Sequence, residues 1–254
     1  MKVIILGTAG YHPNDRRDTL CVMLPELGIV FDAGTGFYRV RDYLETSELQ
    51  IFLSHAHLDH CIGLTFLFDV LHERQVHKTI VRGEPEKLEA IQQHLFSPLL
   101  FPAMPPLTFE PLRDESTSMG DNINIRYFPL SHPGGSVGYR VDAHGKSLAY
   151  VTDTVASIEA DYLQHIHDVD LLIHECYFPD GYEELATKTG HSCTSHVAEV
   201  ARRVNAKQLL LTHFNPLDVT DDPIDLNKAR SIFPNTALAE DRQEIVIDAR
   251  RLSN

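Results

Sequence analysis

His55-Ala56-His57-Leu58-Asp59-His60 places four ligand-type side chains in six residues, directly after the apolar run Ile51-Phe52-Leu53-Ser54. The run reads as a buried strand over 50–54, so the hexapeptide leaves a rigid element that can hold side chains for chemistry. In extended backbone alternate side chains share a face, so His55 and His57 project to the same side. Asp59 and His60 open a second pair where the chain turns helical, over 59–71. The economical reading is one metal ion served by the His pair and a second by the Asp/His pair. A lone histidine here would be a polar turn between strand and helix. Three histidines and an aspartate at these offsets point instead to metal binding.

Outward from that stretch, apolar runs predict strands over 2–6, 20–24, 28–32, 78–81, 122–129, 138–141, 148–152, 171–174, 208–212 and 244–247. Helical spacing of apolar residues predicts helices over 36–45, 85–95, 155–165, 195–204 and 226–232. Each half is strand-rich with late helices. Two sheets face to face with helices outside would bury these patterns, which predicts an α/β fold of the four-layer αββα sandwich type. No Gly/Ser/Pro linker separates the halves, so residues 1–254 are read as a single domain. Pro98, Pro102, Pro105, Pro106 and Pro111 mark one irregular segment, expected to be a surface loop or flap.

The 254 residues are 43% hydrophobic, enough for a sizeable core, and carry a formal net charge of −14. That balance argues against broad, unassisted binding to nucleic acid backbones or anionic membranes. Fifteen histidines exceed the 9 tyrosines and the 12 phenylalanines, a surplus that fits metal or acid–base chemistry. Cys21, Cys61, Cys176 and Cys193 form no CxxC pair and spell neither a zinc ribbon nor a disulfide framework. Met1–Gly7 reads as a short strand rather than a targeting signal. No stretch approaches the ~20 apolar residues of a membrane helix. A cytoplasmic setting with no membrane partner is the expectation.

A two-metal site needs further ligands, and three residues downstream stand where they are required. His132 follows the strand ending in Leu130-Ser131 and precedes the turn Pro133-Gly134-Gly135. Asp153 ends Leu148-Ala149-Tyr150-Val151-Thr152, and His213 ends Leu209-Leu210-Leu211-Thr212. Taken singly, Asp153 would be a helix cap and the histidines ordinary loop residues. Their shared placement just beyond apolar strands moves all three towards ligation.

Asp32 in Val30-Phe31-Asp32-Ala33-Gly34, the HxHxDH hexapeptide, His132, Asp153 and His213, in that order, resemble the five motifs of the metallo-β-lactamase superfamily of hydrolases. The resemblance covers essentially the whole chain. It implies that His55, His57 and His132 bind one metal, that Asp59, His60 and His213 bind the other, and that Asp153 bridges. Asp32 would orient ligands from behind. Zinc suits such imidazole and carboxylate donors, with manganese or iron as alternatives. By contrast His165-Ile166-His167 has no following Asp-His and reads as an exposed helix end.

Leu6-Gly7-Thr8-Ala9-Gly10-Tyr11-His12-Pro13 with Arg17, and Gly190-His191-Ser192 ahead of a helix, resemble the ribonuclease Z and phosphodiesterase branch of that superfamily. There the corresponding histidine contacts phosphate and helps protonate the leaving group, which implies that role for His191. Cys193 stands where the branch commonly has threonine. Glu175 is a candidate to orient His191, although a Glu after a strand is usually only solvated. His12, Asn14, Arg16 and Arg17 either reach substrate or form a charged surface turn. Asp59 is expected to take part in catalysis as well as in metal binding.

The expected activity is two-metal hydrolysis of a small or nucleotide-like phosphodiester. Lactone or thioester hydrolysis uses the same ligands. A tRNA 3′-end endonuclease of this branch would need a glycine-rich basic arm between the third and fourth motifs. Only 20 residues separate His132 from Asp153, and they run straight into the next strand, so tRNA is the disfavoured partner. A homodimer is an open expectation.

Overall fold

The computed structural model of the chain describes residues 1–113, 116–119 and 122–247. It divides into two compact units. One comprises Lys2–Arg113 with Glu240–Ile245, and the other Asp114–Ala239 with Met1 and the residues from Val246 onward.

The first unit holds β1 (Lys2–Gly7), β2 (Cys21–Leu24), β3 (Ile29–Phe31), β4 (Glu48–Phe52), β5 (Lys78–Gly83) and β6 (Thr108–Pro111), joined on the β1 edge by the late strand Glu244–Val246. β1, β2 and β3 pair antiparallel, and β3 to β6 run parallel. Alternate residues Ile4 and Leu6 of β1 belong to the core shared with the helices, while Val3 and Ile5 on the other face are also fully buried. That two-sided burial is why the strands read as unbroken apolar runs. The 3-10 turn Thr35–Asp42 and the helices α1 (Leu58–Cys61), α2 (Leu67–Leu71) and α3 (Pro85–Ala90) supply Phe37, Val40, Cys61, Leu67, Val70 and Leu88 to this core. Full burial of a Val, Leu or Phe side chain contributes about 1.5–3 kcal/mol.

The second unit holds β7 (Ser116–Ser118), β8 (Ile123–Leu130), β9 (Ser136–Ala143), β10 (Lys146–Val151), β11 (Leu171–Glu175), β12 (Leu209–Thr212) and β13 (Thr236–Leu238), in the order β13-β12-β11-β10-β9-β8-β7. Its antiparallel part, β7 to β10, gives way to a parallel part, β10 to β13. α4 (Glu183–Thr189), α5 (Thr194–Arg203) and α6 (Leu226–Ile232) follow. α5 buries Val197, Ala198, Val200 and Ala201, one helical stripe, against Val151, Leu172, Leu209 and Leu211. Arg202 and Arg203 stand in its last turn, where cations favour the helix dipole.

Several expected elements change form, each for a local reason. The helix expected over 59–71 is interrupted by a 3-10 stretch, Ile62–Phe66, because the Gly63 amide donates to Ala33 O at 2.7 Å instead of within the helix. Of the helix expected over 155–165 only Asp161–His165 coils. The amides of Val155 and Ala156 are taken by Ser131 O and Ser192 Oγ. β6, β7, β13 and α4 were not expected, being short and weakly apolar. His165 is half-buried, with its ring stacked on Phe128 at 5.1 Å, whereas His167 is exposed as expected. Leu99 and Leu100 in the proline-rich segment are exposed, and the segment ends in β6. No helix among the described residues is long and apolar enough to cross a membrane.

Candidate metal centre

In the first unit the site grows from the ends of β3 and β4. Asp32 follows β3 in a left-handed conformation, φ 55°, and is fully buried. Its carboxylate accepts from Ser54 N at 2.7 Å and Ser54 Oγ at 2.8 Å, and lies 2.9 Å from His60 Nδ1. Ser54 Oγ, having given its proton to Asp32, accepts from His55 Nδ1 at 2.9 Å. Both rings therefore carry their proton on Nδ1 and present Nε2 as the donor atom for a metal. His57 stands beside His55 with ring centroids 4.4 Å apart. Asp59 Oδ2 accepts from Tyr11 N at 2.7 Å and lies 3.3 Å from His60 Nε2. Gly63 makes the arrangement possible, since a Cβ there would fall 2.2 Å from Gly34 O.

In the second unit the corresponding side chains stand at the ends of β8, β10 and β12. The turn after β8 closes with Gly135 N donating to His132 O at 2.9 Å, and His132 Nδ1 donates to Gly190 O at 2.9 Å. Asp153 (φ 45°) and His213 (φ 59°) both adopt left-handed backbone. Thr152 Oγ1 donates to Asp153 Oδ1 at 2.6 Å. His132 Nε2 faces Asp153 Oδ2 at 3.6 Å, and His213 Nε2 faces Asp153 Oδ1 at 3.2 Å. Single ligand-type atoms of Asp153, His191 and His213 all lie within 4.8 Å of one another.

Left-handed φ costs a non-glycine residue about 1–3 kcal/mol and persists where the surroundings over-determine it. Here Asp32, Asp153 and His213 each take it at the last bend off a strand, which turns the side chain away from the strand's own alternation. The donor set also passes a chemical test. The proton of His132 is committed to a carbonyl and that of His60 to a carboxylate, so each Nε2 meets a further carboxylate oxygen as acceptor against acceptor. A divalent cation beside each pair would relieve its contact, and imidazole with carboxylate is a donor set for zinc, manganese or iron.

Glu175, fully buried at the end of β11, accepts from Thr154 N at 3.0 Å, Tyr177 N at 3.2 Å and Ser192 N at 3.3 Å. Its Oε1 stands 3.4 Å from His191 Nδ1, an ion-pair separation rather than a short hydrogen bond. Tyr177 stacks on the His191 ring, with centroids 4.6 Å apart and planes 16° apart. Behind Glu175, burial pushes the His174 pKa down, which keeps that ring neutral between Tyr162 Oη and Glu175 O. Burial pushes the Cys61 thiol up to about 12 and Cys193 up to about 11, so both are protonated at neutral pH and unsuited to ligation.

In the first loop Asn14 Oδ1 accepts from Arg16 N and Arg17 N, both at 2.9 Å, and the His12 ring turns onto Pro13 O at 2.8 Å. Arg17 is buried. Three contributors escaped sequence reasoning: the Tyr11 amide on Asp59, the Thr152 hydroxyl on Asp153 and the Tyr177 ring on His191. A backbone amide leaves no mark in a sequence. Tyr177 could have been noticed only as an aromatic two residues past Glu175.

A family model described as a beta-lactamase superfamily domain matches residues 28–214. Ribonuclease Z of Archaeoglobus fulgidus is 24% identical over an alignment covering 94% of this chain and 95% of that protein. The metallo-beta-lactamase fold protein YhfI from Bacillus subtilis superposes with a TM-score of 0.80 at 20% identity, covering 96% of this chain and 99% of the other. A diphosphatase from the PhnP family superposes with a TM-score of 0.74 at 18% identity, with 98% of each chain covered. The likeness extends the fold assignment, the metallo-β-lactamase fold with its two mixed sheets and flanking helices, over essentially the whole sequence.

Proposed function

The chain belongs to the β-lactamase superfamily, and from that premise we propose that this metallo-β-lactamase-fold hydrolase is a phosphodiesterase acting on a small or nucleotide-like diester. The observation that carries the reading is His191, backed by the buried Glu175 carboxylate and standing beside Asp153 and His213. A phosphodiester with a poor leaving group has use for an acid imidazole at that place.

His55, His57 and His132 are assigned to one divalent ion and Asp59, His60 and His213 to a second, with Asp153 serving both. When bound, such ions lower the pKa of a water and stabilise charge developing on phosphoryl oxygen. The remaining work falls to the chain's own side chains. Asp32 and Gly190 O keep protons on the Nδ1 atoms of His60 and His132, fixing which nitrogen each ring presents. Glu175 holds His191 by its Nδ1 side, and Tyr177 limits rotation of that ring. His191 gives a proton to the departing oxygen. Asp59, held by the Tyr11 amide, is positioned to orient the attacking water. The family match runs from one unit into the other, which supports treating residues 1–254 as one hydrolase domain.

A tRNA 3′-end endonuclease is the second reading, favoured by the name of the Archaeoglobus relative. Three observations weigh towards a smaller substrate. The net charge is −14. β8 and β9 are joined by the short turn that His132 and Gly135 close. The alignment with that relative runs over 298 positions against the 254 residues of this chain, so the relative carries stretches that this chain lacks. Metal-reconstituted protein assayed against bis-p-nitrophenyl phosphate, a lactone panel and a tRNA precursor with a 3′ trailer tests the choice. Diester turnover well above the other two is expected. Lactone turnover exceeding diester turnover would overturn the reading, and efficient trailer removal would install the tRNA alternative.

A further inference from the structure

α4 leads from Tyr182, its N-cap residue, to Gly190, whose left-handed backbone (φ 78°) turns the chain directly into His191. Along one face of this helix runs an open cleft of about 610 Å³, lined by Tyr182, Glu183, Glu184, Leu185 and Lys188. The Tyr182 ring is 51% exposed and lies over Phe178 with centroids 5.7 Å and planes 15° apart. Phe178 in turn meets the His191 ring edge-on at 6.5 Å. Two ring contacts thus connect the cleft to the imidazole assigned as proton donor.

An exposed tyrosine braced from behind by a second ring is a stacking platform, because Phe178 fixes its plane and its outer face meets solvent. The charge around it is selective. Glu183, Glu184 and nearby Asp180 outnumber Lys188, so the rim repels additional phosphates and welcomes groups that donate hydrogen bonds. A flat aromatic ligand with amino hydrogens and no charge of its own meets both conditions. Adenine, guanine and cytosine are such ligands.

We propose that the cleft along α4 is a nucleobase subsite, in which Tyr182 stacks on the base and the Glu184 carboxylate accepts from its amino group. The substrate is then a diester with a nucleoside on one side of the phosphate. The position of that phosphate rests on the phosphodiesterase reading above, whereas binding of the base does not.

Adenosine 5′-(p-nitrophenyl phosphate) and methyl p-nitrophenyl phosphate share a leaving group and differ only in the base-bearing alcohol. Stacking is worth about 1–3 kcal/mol per base. Tyr182→Ala should therefore lower the ratio of kcat/KM for the adenosyl over the methyl diester by roughly 5–150-fold, and Tyr182→Trp should preserve it. An unchanged ratio in Tyr182→Ala, with native circular dichroism, overturns the proposal. If neither diester is cleaved, the phosphodiesterase reading fails by itself, and calorimetry with AMP and ribose 5-phosphate decides the subsite. AMP binding that exceeds ribose 5-phosphate binding, and is weakened in Tyr182→Ala but not in Tyr182→Trp, supports it. Equal binding of the two probes, no binding, or indifference to the substitution overturns it.

Discussion

Asp32 and His60 meet at 2.9 Å between Oδ2 and Nδ1, both fully buried, while the far nitrogen of the same ring points at Asp59. The contact decides which imidazole nitrogen carries the proton, and so which one is available to a metal. The same oxygen also accepts from Ser54 Oγ, which makes Ser54 the acceptor for His55. One carboxylate therefore sets the tautomer of two rings.

Replacing Asp32 by asparagine keeps the volume and removes the charge. An amide can offer His60 a donor instead of an acceptor, which favours the wrong tautomer. The expected result is metal affinity lower by about 10–100-fold, in line with losses at other residues that back metal ligands. Equilibrium dialysis against zinc and manganese, followed by elemental analysis, measures it. His55→Ala should lose metal outright. Affinity in Asp32→Asn equal to the parent's would mean that Asp32 serves folding alone.

The Glu175–His191 pair makes a kinetic prediction. His191→Ala should lower kcat on alkyl diesters by ~10²–10⁴, the usual worth of a positioned acid. The loss should shrink on p-nitrophenyl diesters, whose leaving group needs little protonation. If Glu175 acts by holding His191, Glu175→Gln should show the same leaving-group pattern more weakly. The double variant should then be no slower than His191→Ala alone. Independent, additive losses would assign Glu175 only to the backbone amides that it accepts from.

Most of the candidate ligand set was legible in the sequence, because side chains such as His132, Asp153 and His213 declare their chemistry and sit just past apolar runs that any strand reading finds. What holds them was less legible. Asp32 entered only through a family pattern, and the Tyr11 amide could not enter at all, since every non-proline residue has one. The helix over 59–71 failed as a continuous element because Gly63 answers to Ala33 and Gly34, which are distant in sequence. The aromatic contacts of Tyr177 with His191 and of Tyr182 with Phe178 depend on how the connection from β11 to α4 folds, and no local periodicity encodes that.

Gly63 is the point where sequence tolerance should be lowest. A methyl group there would fall 2.2 Å from Gly34 O and 2.7 Å from Ala33 O, both backbone atoms that cannot swing aside. Gly63→Ala should destabilise by about 1–3 kcal/mol or more, as forced overpacking does. It should also weaken metal binding, because Gly63 follows the turn that carries Asp59 and His60. Urea unfolding of the metal-free protein separates the two effects. A stability change within 0.5 kcal/mol, the range about that of ordinary surface substitutions, would show that the backbone relaxes there.

The last prediction concerns Asp170, which bridges β10 and the segment before β12. Burial raises its pKa, but the ion pair with Lys207 Nζ at 2.5 Å and the bonds from Ser147 N and Oγ at 2.8 and 3.1 Å outweigh that, and the net shift is downward. A carboxyl group whose folded pKa lies below its unfolded value stabilises the protein above the unfolded value, ordinarily about 3.9. That contribution fades as pH falls through the lower, folded value. Asp170→Asn should therefore cost on the order of 1–2 kcal/mol at pH 7, as loss of a charged hydrogen-bond acceptor does. The cost should shrink as unfolding is measured at successively lower pH towards 4 and below. Lys207→Met should flatten the same dependence, because it removes the cation responsible for much of the downward shift. A penalty for Asp170→Asn that stays constant from pH 7 into the acid range would show that Asp170 contributes through its hydrogen bonds to Ser147 and not through its charge.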